Sequence, residues 1–200
     1  MSKLLAGNET VLLIPAYVIN GIPYLIANSA SAAAAPISAP TKSILDSWIT
    51  VTSMSSLQPY AGGNISGAVR DDLKLGLTDS DKSTSRSIAS VGKGESLTFF
   101  NFQAQFTLFR EGDTSVTNGS TFAMANRLTR AQGIPYVIAH RLGAPQTFSQ
   151  TTLTTIGEDW SFYYALTGQP VAGYGDGEEQ TIGANFVPKN IVNTPYAIQS

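Results

Sequence analysis

The chain has 200 residues, with 12 Lys+Arg against 14 Asp+Glu, and charged residues make up 13% of it. That is about half the charge of an ordinary soluble domain, while the apolar share is ordinary, so the sequence is neither a disordered polyelectrolyte nor a nucleic-acid binder working through basic charge. With no Cys and a single His, His140, disulfides, thiolate nucleophiles and multi-His metal sites are excluded. So weakly charged a surface predicts that much of it is covered by other protein.

No charge falls between Glu9 and Lys42. The apolar stretch Val11–Ala27 is interrupted by Pro15, Asn20, Gly21 and Pro23, which argues against a spanning helix or a signal peptide. Asn20-Gly21 is a strong hairpin signal and predicts strands over Val11–Ile19 and Ile22–Ala27, with the prolines at edges or bulges. Residues 1–10 read as an arm. Residues 28–45 begin with the Ala/Ser/Pro run of Asn28–Pro40 and read as a low-complexity loop, either a flexible connector or a segment that orders on a partner subunit. Ser47–Met54, Ser66–Leu77 and Ser85–Val91 read as strands, with a polar loop at Thr78–Thr84 and turns at Gln58–Asn64 and Val91–Gly94.

Leu97–Arg110 is the clearest strand of the sequence. Phe100, Phe102, Ala104, Phe106 and Leu108 alternate with polar residues, the period-two pattern of a half-buried antiparallel strand; Phe100, Phe102, Phe106 and Leu108 are its expected core face. A helix is predicted over Thr121–Gln132, capped by Asn118 or Ser120 and stopped by Gly133. It should pack through Met124, Leu128 and Ala131, leaving Arg127 and Arg130 to pair with acids of this or a neighbouring subunit. Strands follow at Ile134–Leu142, Ile156–Leu166 and Glu178–Pro188, and residues 189–200 read as a tail. The expected fold is a single mainly β domain, an antiparallel sandwich or barrel with one flanking α-helix.

Catalytic chemistry finds little purchase. Asp79–Ser83 starts like a calcium loop but lacks the glycine at position six and the glutamate at position twelve. No G-x-S-x-G is present. His140 reads as a hydrogen-bonded strand histidine. The acid pairs Asp71-Asp72, Glu158-Asp159 and Glu178-Glu179 consist of neighbours, which in a strand face opposite ways and so form no dyad. Trp48, Trp160, Tyr163 and Tyr164 suit a sandwich core, or else a sugar-stacking face. The reading is therefore of a chain that is not an enzyme and uses no cofactor or metal.

The succession Gly76-Leu-Thr-Asp-Ser-Asp81, Asn101-Phe-Gln-Ala-Gln-Phe-Thr-Leu-Phe-Arg-Glu-Gly-Asp113, a single helix, then Tyr136-Val-Ile-Ala-His-Arg-Leu-Gly143 resembles the tail tube (major tail) proteins of siphophages, especially those of phages infecting actinobacteria. The Gly-rich acidic turn at Gly173–Glu179 before a final strand is similar to that family as well. The resemblance implies a structural virion protein, made in the host bacterial cytoplasm. Its hexameric rings stack into a tube and join tape measure, tail terminator and distal tail proteins, and DNA passes through the lumen without specific binding. Leu4, Leu5, Arg127, Arg130, Ile191 and Tyr196 are then the candidate inter-subunit residues. The arm, the loop and the tail are expected to order on neighbouring copies, with no membrane involved. The alternative is a carbohydrate-binding or adhesin-like sandwich.

Overall fold

In a computed structural model, residues 9–28, 33–53, 61–78, 81–85, 94–99, 102–110, 119–142, 151–173 and 180–199 are described. The fold is mainly antiparallel β-sheet. Its centre is built from β1 (Thr10–Ile19), β9 (Pro135–Arg141), β10 (Asp159–Thr167) and β12 (Thr181–Ala197). β1 pairs with β9 through registers such as Leu13↔Ile138, β9 with β10, and β10 with β12.

The middle strands are apolar on both faces. Val11 and Leu13 of β1, Tyr136 and Ile138 of β9, and Tyr163 and Ala165 of β10 face one core; Leu12 and Ile14, Val137 and Ala139, and Trp160 and Phe162 face a second. A strand covered on both sides reads as an unbroken apolar run. Thus Leu12-Leu13-Ile14 and Tyr136-Val-Ile-Ala139 show no alternation.

Two layers cover the two faces. On the first lie β5 (Lys74–Leu77), β8 (Phe102–Phe109) and the start of β12, with β11 (Val171–Gly173) at its side, together with α2 (Thr121–Arg130). β12 belongs to both layers: Thr181–Asn185 pair with β8, and Phe186–Ala197 pair with β10. On the second face lie α1 (Lys42–Ile49), β2 (Ile22–Ile26) and β3 (Ala34–Pro36). A short β4 (Gly63–Asn64) flanks β1 on the side away from β9. The close approach there requires glycine, since a Cβ on Gly62 would stand 2.3 Å from the Leu13 carbonyl oxygen. β6 (Asp81–Ser85) and β7 (Gly94–Phe99) form a separate ribbon.

The mainly β class is as expected, and several details are corrected. The described residues hold two α-helices, since the head of the expected Ser47–Met54 strand is the last turn of α1; Ile44, Leu45, Trp48 and Ile49 form its buried stripe. Residues 33–45 of the expected loop are ordered by their own chain, with Ala35 and Ile37 buried in the second core. The expected tail is the second half of β12. Its polar and proline residues are accommodated where the register with β10 shifts, between Tyr164 and Ala165 and between Trp160 and Phe162. Leu97–Arg110 is two strands belonging to different ribbons, and part of the Thr78–Thr84 loop is β6. The Ser66–Leu77 strand is reduced to β5 after a 3-10 turn at Ser66–Ala68.

Candidate assembly surfaces

The Asn20-Gly21 turn forms as its residues demand. Both have positive φ, +51° and +80°, the pattern of the mirror-image turn that suits a twisted hairpin. The prolines follow the expected logic. Pro15 is the last β1 residue paired with β9. Pro23 pairs with Val18, one residue from Tyr17↔Tyr24 and one from Ile19↔Ile22; in a two-residue hairpin this is a non-hydrogen-bonded pair, so the missing N–H removes no bond of the β1–β2 ladder. Its carbonyl oxygen accepts from the Ile37 N–H at 2.9 Å.

Beyond Pro15 the β1–β2 ribbon continues without β9. Tyr17, Ile19, Ile22 and Tyr24 share one face by the period of two, with Val18 on the other. Tyr17 and Tyr24 stack at 5.7 Å. Tyr17, Val18, Ile19 and Ile22 are 39–47% exposed. Tyr17, Ile19 and Ile22, exposed on one face of a projecting ribbon that carries no charge, form a patch of the kind that marks an interaction site. The main sheet is also open among the described residues, with β3 and β5 at its two ends, and open edges are a ready route to pairing with another chain.

At the other end of β1 lies a buried ionic cluster. The fully buried Arg141 guanidinium donates to Glu158 at 2.9 Å, to the Thr152 carbonyl at 2.7 Å and to Thr10 Oγ1 at 3.2 Å. It lies 4.8 Å from the centre of the Trp160 ring. Burial lowers its pKa, opposed by its hydrogen bond to Glu158 and by the charges of Glu158 and Asp46. Glu158 also accepts from the Thr155 N–H, and Asp46 from the Thr154 N–H, so the segment 152–158 is fastened to the sheet and to α1. Beside it, His140 Nε2 is 3.0 Å from Glu9 Oε2. The cluster ties the start of β1 and the end of β9 to the segment before β10 and to α1. Among the described residues no group of three His, Asp or Glu could hold a metal ion.

The expected site residues are distributed as follows. Phe106 and Leu108 are buried in the first core and Phe102 is half-buried; Phe100, Leu4 and Leu5 lie outside the described residues. Met124 and Leu128 are buried as α2 packs. Ala131 is corrected: α2 ends at Arg130, and Ala131 is the exposed C-cap in extended conformation. Its carbonyl takes the Thr167 hydroxyl at 2.6 Å, and Gly133 supplies a positive φ in the turn into β9 rather than the helix stop. Ser120 is the N-cap, accepting from the Ala123 N–H. Ile191 and Tyr196 pack on their own second core, Tyr196 edge-on to Phe162, because β12 carries them there. Arg127 and Arg130, with Arg110 and Asn126, line a cleft of about 320 Å³ on α2. Trp48, Trp160, Tyr163 and Tyr164 are all buried.

Among the described residues, neither Asp71-Asp72 nor Glu158-Asp159 forms a dyad. Asp71 lies 3.9 Å from Arg70, Glu158 is bound to Arg141, and Glu178-Glu179 lie outside the described residues. Asp72 accepts from the Thr107 N–H at 3.0 Å and from its hydroxyl. Partial burial raises the Asp72 pKa, but these Thr107 bonds outweigh it and hold the carboxyl below its ordinary 3.8. Its stabilising contribution is therefore complete above the unfolded pKa and fades as pH falls through the lower folded value. Unfolding measured from pH 6 to pH 2 should show the wild type losing more stability than Asp72→Asn in the acid range; parallel profiles would dismiss the Thr107 clamp.

Sequence reading located the hairpin but not its exposed apolar face, although the cross-strand set Tyr17, Ile19, Ile22 and Tyr24 around Asn20-Gly21 was the available signal. It also missed Arg141, whose signal was one cation in a strand otherwise apolar on both faces.

Fold and surfaces together define a mainly antiparallel β protein with two helices among its described residues and an exposed apolar ribbon. No protein-family model matches the chain, and neither the curated proteins nor the solved structures contain a match. No helix among the described residues is long and apolar enough to cross a membrane.

Proposed function

We propose that this chain is a structural, self-assembling subunit without catalytic activity, one whose hexameric rings stack into the tail tube of a phage and guide DNA to the host. The observation that carries the self-assembly is the projecting hairpin, with Tyr17, Val18, Ile19 and Ile22 turned to solvent, an arrangement a chain with 13% charged residues would otherwise have to keep soluble. The resemblance through Asn101–Asp113 and Tyr136–Gly143 supports the tube, and a low-charge chain with a net −2 suits a conduit that must release DNA. On this reading the protein resides in the virion tail and meets tape measure, tail terminator and distal tail proteins. The sugar-binding alternative has no observation in its favour, because the four aromatic residues it needs are in the cores.

Negative-stain microscopy of concentrated protein tests the proposal. Rings or tubes of uniform diameter are expected; dispersed particles of single-subunit size at every concentration would refute it.

A further inference from the structure

The cleft on α2 gathers cations in a chain that has few. Arg110, the residue after β8, forms one wall, and Arg127 and Arg130 of α2 form the other, with Ala123 and Asn126 between them. Three of the 12 Lys+Arg meet there, and no carboxylate lines the cleft among the described residues. Both walls are held. The Arg110 N–H donates to the Gln180 carbonyl at 2.9 Å, and Phe109 meets Phe122 edge-on at 6.5 Å, which ties the end of β8 to the first turn of α2. Helical side chains lean toward the helix N-terminus, so Arg127 reaches over Ala123 and Arg130 over Asn126. That lean sets both guanidinium groups beside the middle of α2, away from the negative end of its dipole. The buried Ala123 makes a small floor, and the Asn126 amide adds further N–H donors.

We propose that this cleft binds a short phosphate chain, a diphosphate or triphosphate, free or at the end of a nucleotide. Arg110 and Arg127 each make a further contact within the chain, but a guanidinium has more N–H donors than one partner uses. A carboxylate offers two oxygens in one plane and is satisfied by a single fork. A phosphate presents oxygens on every side and suits forks that converge from two elements. The cleft of about 320 Å³ stands at the low end of small-molecule sites, more than one phosphate fills and suited to a chain of two or three. The proposal goes beyond the assembly reading and does not depend on it.

The test is titration calorimetry of the full chain with inorganic phosphate, pyrophosphate and ATP at one ionic strength, with the rise in unfolding temperature as a second readout. Pyrophosphate and ATP should each bind tighter than inorganic phosphate by about tenfold or more. Arg130→Gln and Arg110→Gln, both at exposed positions on opposite walls, should each weaken pyrophosphate by about tenfold. Lys42→Gln removes the same charge from α1, on the other face of the sheet, and should change nothing. Equal affinity for pyrophosphate and ATP assigns recognition to the phosphates alone, and tighter ATP adds a contact to the nucleoside. No binding of either compound overturns the proposal, as does a loss with Lys42→Gln equal to the loss with Arg130→Gln. A DNA oligonucleotide that displaces pyrophosphate at equal phosphate concentration makes the cleft a nucleic-acid contact and overturns it as well.

Discussion

Phe106→Ala should destabilise the fold by about 3–5 kcal/mol, the usual cost of removing a buried aromatic ring that its neighbours cannot replace. Phe106 is 1% exposed, and its ring lies 5.2 Å from Phe186, where β8 and β12 close over the face of β1 and β9. The surroundings offer little collapse, because Leu13 and Tyr136 behind it and Met124 beside it are held by a paired sheet and a helix. Urea unfolding at neutral pH is the measurement. Phe102→Ala, at a half-buried position, should cost clearly less. Equal losses at the two positions would mean that β8 turns its other face inward.

The second large effect is at Arg141. Arg141→Met removes the cation and leaves the Glu158 carboxylate, the Thr152 carbonyl and the Thr10 hydroxyl without the donor they share. Breaking a buried pair from one side costs about 3–5 kcal/mol, since the remaining charge is stranded. Adding Glu158→Gln removes that charge. The double variant should therefore be more stable than the sum of the single losses predicts, by more than about 1 kcal/mol in a double-mutant cycle. Additive losses would show that the two side chains contribute independently and that Glu158 acts mainly through the Thr155 N–H.

Local signals served the sequence reading well where they decide structure by themselves. Asn20-Gly21 specified a hairpin because few other residues accept two positive φ angles, and the alternation through Phe106 and Leu108 specified a buried face. It went wrong where tertiary cover overrides local pattern. Ile49-Thr50-Val51 is β-branched and read as strand, yet the stripe Ile44, Leu45, Trp48 and Ile49 is buried as a helix. The 189–199 stretch looked like a tail because Lys189, Asn193 and Pro195 break any period; only the partner strand β10 reveals that the breaks are register shifts. Arg141 was illegible for the same reason, since its partners come from residues 10, 152 and 158, which nothing in the linear order brings together.

The pairing of β1 with β9 sets a schedule for synthesis. Leu13 meets Ile138, a partner that leaves the ribosome about 125 residues later, or roughly 6–25 s at ordinary elongation rates. Through that interval Leu12, Leu13 and Ile14 have neither of their two covering layers complete, in a stretch that no charge protects. The nascent chain thus passes through a period in which an apolar segment waits for the strand that will cover it. Many copies made together from one message are then prone to sticking before they are able to pair correctly, so a chaperone that covers this segment during synthesis should raise the yield of native subunits more than it raises the yield of total protein.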